Sequence, residues 1–226
     1  MVSPPLHPRW LARPRTLLLA APEHSPAAAR AAQLAARWQA AVVPLPDDDP
    51  DAIAAEVARA TADLIIADGL SPEIERLACA SPRPLLAVKT PPAGPHRKLL
   101  VAVDHSARGA RSLDLLQAFP DAAIELVHAY HLPFRDVVGA DPALPAGLEH
   151  TPTPPPLALR GFRVDNRLGT PEKLLVEAVT TGAHDLAIVA THGAHDLGVS
   201  LIGRTAAALL AGLPCDVLMV PTADRR

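Results

Sequence analysis

Short apolar runs recur along the whole chain and are separated by polar or alanine-rich stretches. A continuous apolar run bounded by turn residues is typical of a strand that is buried on both faces, as in parallel sheets. These runs predict nine strands. They cover residues 15–21, 42–45, 63–67, 84–88, 97–104, 123–131, 162–167, 185–190 and 217–221.

Helix-start signals precede several of the stretches between these runs. A Ser, Thr or Asp followed by proline provides an N-cap and a first-turn residue with a suitable φ. Such pairs occur at Ser25-Pro26, Asp49-Pro50 and Thr170-Pro171, and Ser106 is a cap without proline. The alternation of helices with buried strands predicts an α/β fold with doubly wound parallel sheets. The predicted helices are 27–41, 51–62, 106–118, 172–181 and 204–211.

The same pattern is present twice. RTLLLAAPEHS matches RKLLVAVDHS, ADLIIADG matches HDLAIVATHG, and SPRPLLAVKTP matches LPCDVLMVPTA, with a stiff proline-rich linker at 91–96. We predict two tandem domains, residues 1–92 and 97–226. Because an exposed apolar edge invites pairing, we expect strands 84–88 and 217–221 to pair with each other or with a second chain.

The second copy has ten extra residues just after strand 185–190, since Asp185 and Pro214 are 29 positions apart and the matching Asp63 and Pro82 only 19. The segment that carries this surplus has Gly193, then nine residues, then Gly203-Arg204-Thr205. Glycine lets backbone amides approach a ligand, and N–H groups at a helix start bind anions. The segment favours a phosphate cradle with Arg204 and Thr205, and ordinary loop and cap glycines are the alternative.

Two other strand ends are expected at the same edge of the sheet. Asp104 ends strand 97–104, where a carboxylate can accept hydrogen bonds from a ribose or form an Asx turn. Pro22 takes its place in the first copy, which therefore lacks both this acceptor and the glycine segment. Residues 128–130 end strand 123–131, and their backbone can read the edge of a base.

Composition and charge exclude several classes of protein. The 226 residues carry a formal net charge of −3 and only 3% aromatic residues, which argues against a nucleic-acid binder. Cys79 and Cys215 are far apart and fit apolar packing in a reducing cytosol. The apolar run 17–21 is shorter than the ~7–15 residues of a signal-peptide core, and no run approaches the ~18 residues of a membrane span. We therefore expect a cytoplasmic protein without a membrane partner.

Catalytic and metal motifs are weak. His105, His128 and His192 all fall near strand ends and could bind zinc, but no helical HxxxH and no cysteine pair accompanies them, so we expect no metal site. There is no GxSxG elbow and no GxxxxGK[ST] loop. We predict no catalytic residues and keep a weak ATP hydrolase as an alternative.

These motifs resemble those of the universal stress protein superfamily. The resemblance rests on VDHS at 103–106, VHAY at 127–130, ATHG followed after nine residues by GRT, and the tail at 205–221. It covers 97–131 and 161–221 strongly and 15–90 weakly, and the two-copy layout is similar to that of the tandem members.

The resemblance implies a Rossmann-like, adenine nucleotide alpha hydrolase-like fold that binds ATP or AMP, with or without Mg²⁺, in stress survival and regulation. It implies that Asp104 contacts the ribose, that the Ala129 backbone binds adenine, that Ala190 and Gly193 line the path to the phosphates, and that Gly203 and Arg204 cap them. It also implies dimerisation through the last strand, here as a pseudo-dimer of the two domains or as a homodimer. The predicted binding residues are Val103, Asp104, Ala129, Ala190, Thr191, His192, Gly193, Gly203, Arg204 and Thr205.

Three positions depart from the family pattern. Ala190 stands where the family has the first loop glycine, and Arg204 stands where it has a hydroxyl residue. Arg204 can hold a phosphate in bidentate fashion or fill the site itself. The segment 132–158 is rich in proline where the family has a helix. The alternative hypothesis is an interaction module of the same fold that binds no nucleotide.

Overall fold

The computed structural model describes most of the chain. The described residues are 14–45, 62–69, 71, 74–75, 77–78, 81, 83–103, 110–130, 162, 164–191 and 211–221.

All nine predicted strands are present, and their ends differ from the predicted ones by two residues at most. They are β1 (Thr16–Ala20), β2 (Ala41–Pro44), β3 (Leu64–Asp68), β4 (Leu85–Val88), β5 (Lys98–Ala102), β6 (Ala123–Tyr130), β7 (Val164–Leu168), β8 (Leu186–Thr191) and β9 (Asp216–Pro221).

The helices agree with the predictions less closely. Helix α1 (Pro26–Trp38) ends before the predicted Ala41, because Gln39 takes a left-handed conformation and Ala41 begins β2. Helix α2 (Ala110–Asp114) continues as a 3₁₀ turn, Leu115–Ala118. Helix α3 (Pro171–Gly182) matches its prediction within a residue at each end. Of the predicted helices 51–62 and 204–211, all but the last residue of each lies outside the described residues.

The strands form one nine-stranded sheet in the order β2-β1-β3-β4-β9-β8-β5-β6-β7. Every neighbouring pair is parallel except β4 and β9, which run antiparallel with Leu86 opposite Leu218. Strands 84–88 and 217–221 were predicted to pair with each other or with a second chain, and the structure shows the first of these two alternatives. Outward from this β4–β9 seam, the strands follow in the order β4-β3-β1-β2 on one side and β9-β8-β5-β6 on the other, so the two halves repeat the same arrangement.

Two carboxylates at equivalent positions show the repeat at the level of single hydrogen bonds. Asp63 accepts the N–H groups of Arg15 and Thr16 at 2.8 and 3.1 Å. Asp185 accepts those of Arg97 and Lys98 at 2.7 and 3.1 Å. Each carboxylate thus caps the start of the first strand of its half.

The sheet has a hydrophobic core on each face. Helices α1 and α2 pack on one face through a cluster that includes Leu34, Trp38 and Leu116. Helix α3 and the helical residues 74–75 and 77–78 pack on the other face. Helices on both faces of a largely parallel sheet confirm the doubly wound α/β class. None of the helices among the described residues has the length and apolar character that a bilayer crossing needs.

A buried ion cluster joins the two halves at one end of the seam. Asp216 accepts hydrogen bonds from Arg30 Nε at 3.1 Å and from the Lys89 N–H at 3.0 Å, and His96 Nε2 lies 2.9 Å from its carboxylate. Arg30 also donates to the Gly94 carbonyl at 2.7 Å. Arg30, His96 and Asp216 are at most 4% exposed. The linker predicted at 91–96 is therefore held between α1 and β9.

Candidate functional site at the carboxyl edge of the second half

The order of the strands places a crevice between β5 and β8. The chain passes from β5 to its neighbour β6 and then to β7, and it reaches β8, the neighbour on the other side, only afterwards. The winding direction therefore reverses between β5 and β8. In open α/β sheets, ligands bind outside the carboxyl ends of the strands at such a switch point.

Three of the predicted segments meet at this edge. The register pairs Val101 with Ile188, and it pairs Ala102 with Val127. When both registers are continued to Val103, this residue lies level with Ala190 on one side and with His128 on the other. The sequence pattern predicted strands that end at Asp104, at residues 128–130 and at Ala190, and the topology brings these three strand ends together.

Ala129 has its backbone directed toward the end of β5. The Val103 N–H donates to the Val127 carbonyl at 3.0 Å, so the polar groups of Val127 face β5. Because backbone groups alternate along a strand, the N–H and carbonyl of Ala129 face the same side, just beyond Val103. This is the position from which a strand-end amide can reach a ligand in the crevice.

Thr191 and Val103 have side chains that belong to the sheet. Thr191 is 2% exposed, and its hydroxyl donates to the Val220 carbonyl at 3.3 Å. Val103 is buried in the core beside α1 and α2. Any contact of these two residues with a ligand would therefore use the backbone.

The other six predicted binding residues lie outside the described part of the chain. They are Asp104, His192, Gly193, Gly203, Arg204 and Thr205. The proline-rich segment 132–158 and two of the three candidate zinc ligands, His105 and His192, lie outside it as well.

His128, the third candidate zinc ligand, has its Nδ1 bonded within the protein. Its Nδ1 lies 2.8 Å from the Val103 carbonyl oxygen. Among the described residues, no group of three His, Cys, Asp or Glu side chains is placed to hold a metal ion.

Cys215 is a free, buried thiol, as expected for an apolar packing residue, and Cys79 lies outside the described residues. Burial raises the pKa of the Cys215 thiol to about 12. A thiol of this kind is neutral at pH 7 and is a poor nucleophile.

At the corresponding switch point of the first half, between β1 and β3, the start of α1 is hydrogen-bonded within the protein. Asp68 ends β3, next to β1, and its carboxylate accepts the Ala27 N–H at 2.7 Å. In the same first turn of α1, Ala28 N–H donates to the Ser25 hydroxyl at 3.1 Å, and Ala29 N–H donates to the Ser25 carbonyl at 3.1 Å. These amides are thus bonded to the chain's own oxygens.

Sequence reasoning missed this role of Asp68. A signal was present, because Asp68 aligns with Ala190 at the end of the equivalent strand. A carboxylate there is incompatible with an anion at the same place, since like charges repel and the helix start is already bonded.

The doubly wound sheet with its switch points defines this chain as a Rossmann-like α/β protein. The model of the universal stress protein family matches residues 95–221, more than half of the chain. The chain belongs to the universal stress protein family.

Solved structures share this fold. A protein of Pseudomonas aeruginosa that was solved as a universal stress protein is 20% identical, with a TM-score of 0.60, over 92% of this chain and 82% of that one. A universal stress protein of Archaeoglobus fulgidus is 13% identical, with a TM-score of 0.58, over 92% of this chain and 98% of that one. At these identities the likeness concerns the fold. A comparison with curated proteins found no match.

Proposed function

We propose that this chain is a cytoplasmic stress-response or regulatory protein that binds one adenine nucleotide, ATP or AMP, at the carboxyl edge between β5 and β8. The observation that carries the proposal is the switch point itself. It coincides with the strand ends that the sequence motifs single out, at Val103, Ala129 and Ala190.

The chemistry of each position suggests which part of the nucleotide it binds. The Ala129 amide and carbonyl face the crevice and can pair with the edge of a base. Asp104, the residue after Val103, is the ribose acceptor in this proposal. Gly193, Gly203 and Arg204 hold the phosphates through backbone amides and a guanidinium group.

The first half is not expected to bind a nucleotide, which leaves a single site per chain. Its switch point contains the Asp68 carboxylate bonded to the start of α1, and Pro22 stands where the second half has Asp104. The first half then serves the second by pairing β4 with β9, the edge that a single-copy protein would leave open.

Calorimetric titration with ATP and AMP, each with and without Mg²⁺, tests the proposal. We expect one nucleotide per chain, and we expect Asp104→Ala to weaken binding at least about tenfold, because hydrogen bonds to a charged group contribute ~1.5–3 kcal/mol. Asp121→Ala is the matched control, since Asp121 is 63% exposed and pairs only with Arg37 among the described residues.

A second pair of variants tests the glycine segment. Gly193→Val should abolish binding if amides there approach the phosphates, whereas Gly94→Val should not, because a side chain at Gly94 meets open space. No binding by the wild type would overturn the proposal and leave an interaction module of the same fold. Phosphate release that disappears with a chelator and with Gly193→Val would instead favour a weak hydrolase.

A further inference from the structure

We propose that His128 is a positioning residue of the nucleotide site: its Nδ1–H holds the Val103 carbonyl and thereby orients the end of β5 toward the ligand. This inference rests on the proposed function and adds a residue whose side chain the binding motifs do not include.

The contact has only one chemical arrangement. His128 Nδ1 and the Val103 carbonyl oxygen are 2.8 Å apart, and a carbonyl only accepts hydrogen bonds. The proton of this bond is therefore on Nδ1. The imidazole is half-buried at the carboxyl edge, level with Val103 across the β5–β6 pair.

The bond acts on the peptide that leads out of the sheet. The Val103 carbonyl and the Asp104 N–H belong to one planar peptide unit. An imidazole that holds the carbonyl therefore fixes the plane in which the chain leaves β5 for Asp104. The N–H group of Val103 is held as well, because it donates to the Val127 carbonyl at 3.0 Å.

The bond also affects Ala129. In a regular parallel ladder, the bond after Val103 N–H to Val127 would run from the Ala129 N–H to the Val103 carbonyl. The imidazole supplies that carbonyl with a donor from a side chain. The carbonyl is then satisfied without the Ala129 amide, which the proposed function assigns to the base.

The test compares His128→Asn with His128→Leu. The Asn amide nitrogen can take the place of Nδ1 and keep the donor, whereas Leu keeps bulk and removes the donor. We expect ATP affinity within about twofold of the wild type for Asn and roughly three- to tenfold weaker for Leu, the range for one neutral hydrogen bond. The same two substitutions at the exposed His24 are the matched control and should leave affinity unchanged.

A spectroscopic measurement tests the contact without nucleotide. In protein labelled with ¹⁵N-histidine and measured at alkaline pH, two-bond correlations should show the His128 proton on Nδ1. The Nε2–H tautomer would overturn the inference, because Nδ1 could then donate nothing to Val103.

The outcomes separate this inference from the proposed function. Equal ATP affinity of the wild type and a folded His128→Leu variant overturns the positioning role and leaves the nucleotide site standing. Loss of affinity in both Leu and Asn variants also overturns it, since the donor would not be the cause. No binding by the wild type overturns the proposed function, and the tautomer then still decides whether His128 holds Val103.

Discussion

Asp216 shows how a carboxylate stays ionised inside this protein. Burial by itself raises the pKa of Asp216, but the hydrogen bonds from His96 and the Lys89 N–H and the charge of Arg30 outweigh it. The pKa is therefore lowered from its ordinary 3.8. A buried charge that keeps its partners adds little net stability, but removing one partner leaves the other uncompensated.

The first prediction concerns Asp216→Asn. The variant leaves the Arg30 guanidinium buried without a counter-ion, so we expect the free energy of unfolding at pH 7 to fall by ~3–5 kcal/mol. Asp165→Asn is the control, because Asp165 is 49% exposed and its pair with Arg167 is a surface pair of ~0–1 kcal/mol. Urea denaturation measures both. An effect no larger than that of the control would contradict the prediction.

The same variant has a predicted pH dependence. Because the folded-state pKa of Asp216 is below the ordinary value of 3.8, its stabilisation is complete above that value and is lost as the pH falls through the folded-state pKa. The difference in stability between the wild type and Asp216→Asn should be constant above about pH 5 and shrink below about pH 4. If the difference in stability is as large below pH 4 as above pH 5, the charge of the carboxylate is not the cause of that difference.

Helix α1 shows how an element can be secured by a residue far away in the sequence. Ser25-Pro26 predicts where α1 begins, and the structure confirms that start. The Asp68 carboxylate at the end of β3, by contrast, reaches the Ala27 N–H only because β3 lies beside β1. Its negative charge also interacts favourably with the positive end of the helix dipole.

We predict that Asp68→Ala lowers the free energy of unfolding by ~1–2 kcal/mol, the usual cost of losing a carboxylate at a helix start. Asp121→Ala at the exposed pair with Arg37 should cost less than ~1 kcal/mol. Thermal and urea denaturation of the two variants give the comparison. Equal losses would mean that Asp68 is only a surface acceptor.

Strands were predictable from the sequence and helices less so. A strand buried on both faces is a continuous apolar run, which is a local signal. The helical residues 74–75 and 77–78 were not predicted, although Ser71-Pro72 repeats the start signal of Ser25-Pro26 and Ser71 Oγ accepts the Ile74 N–H at 3.3 Å. Ile74, Leu77 and Ala78 are buried against the sheet at the i, i+3, i+4 spacing of a helix, so the apolar pattern was also present in the sequence and was missed.

One continuous sheet runs through both halves of the molecule, and further contacts join the two halves beside the seam. Leu86 and Leu218 pair across the seam, and the Trp38 indole N–H of α1 donates to the Ala118 carbonyl of the second half at 3.1 Å. Arg30 and Asp216 join the same two halves. Such contacts couple the unfolding of each half to that of the other.

We therefore predict one cooperative unfolding transition, with coincident urea curves from tryptophan fluorescence and far-ultraviolet circular dichroism. Leu86→Ala should lower the free energy of unfolding by ~2–5 kcal/mol and move the midpoints of both curves together, since Leu86 is 2% exposed and lies in the seam. Val43→Ala, on the exposed edge strand β2, is the control and should shift them little. Two separate transitions would show that the halves fold independently.

Apolar runs, helix caps and self-similarity are properties of the chain alone, and they were enough to predict the strands, the repeat and the strand ends at Asp104, Ala129 and Ala190. Three contacts depend on the folded sheet: the Asp68 carboxylate with the Ala27 N–H, the Thr191 hydroxyl with the Val220 carbonyl, and His128 with the Val103 carbonyl. Arg30 and Asp216 are 186 positions apart, and their charges alone suggest surface residues. Which polar groups meet depends on which strands become neighbours, and that is set by packing of the whole sheet.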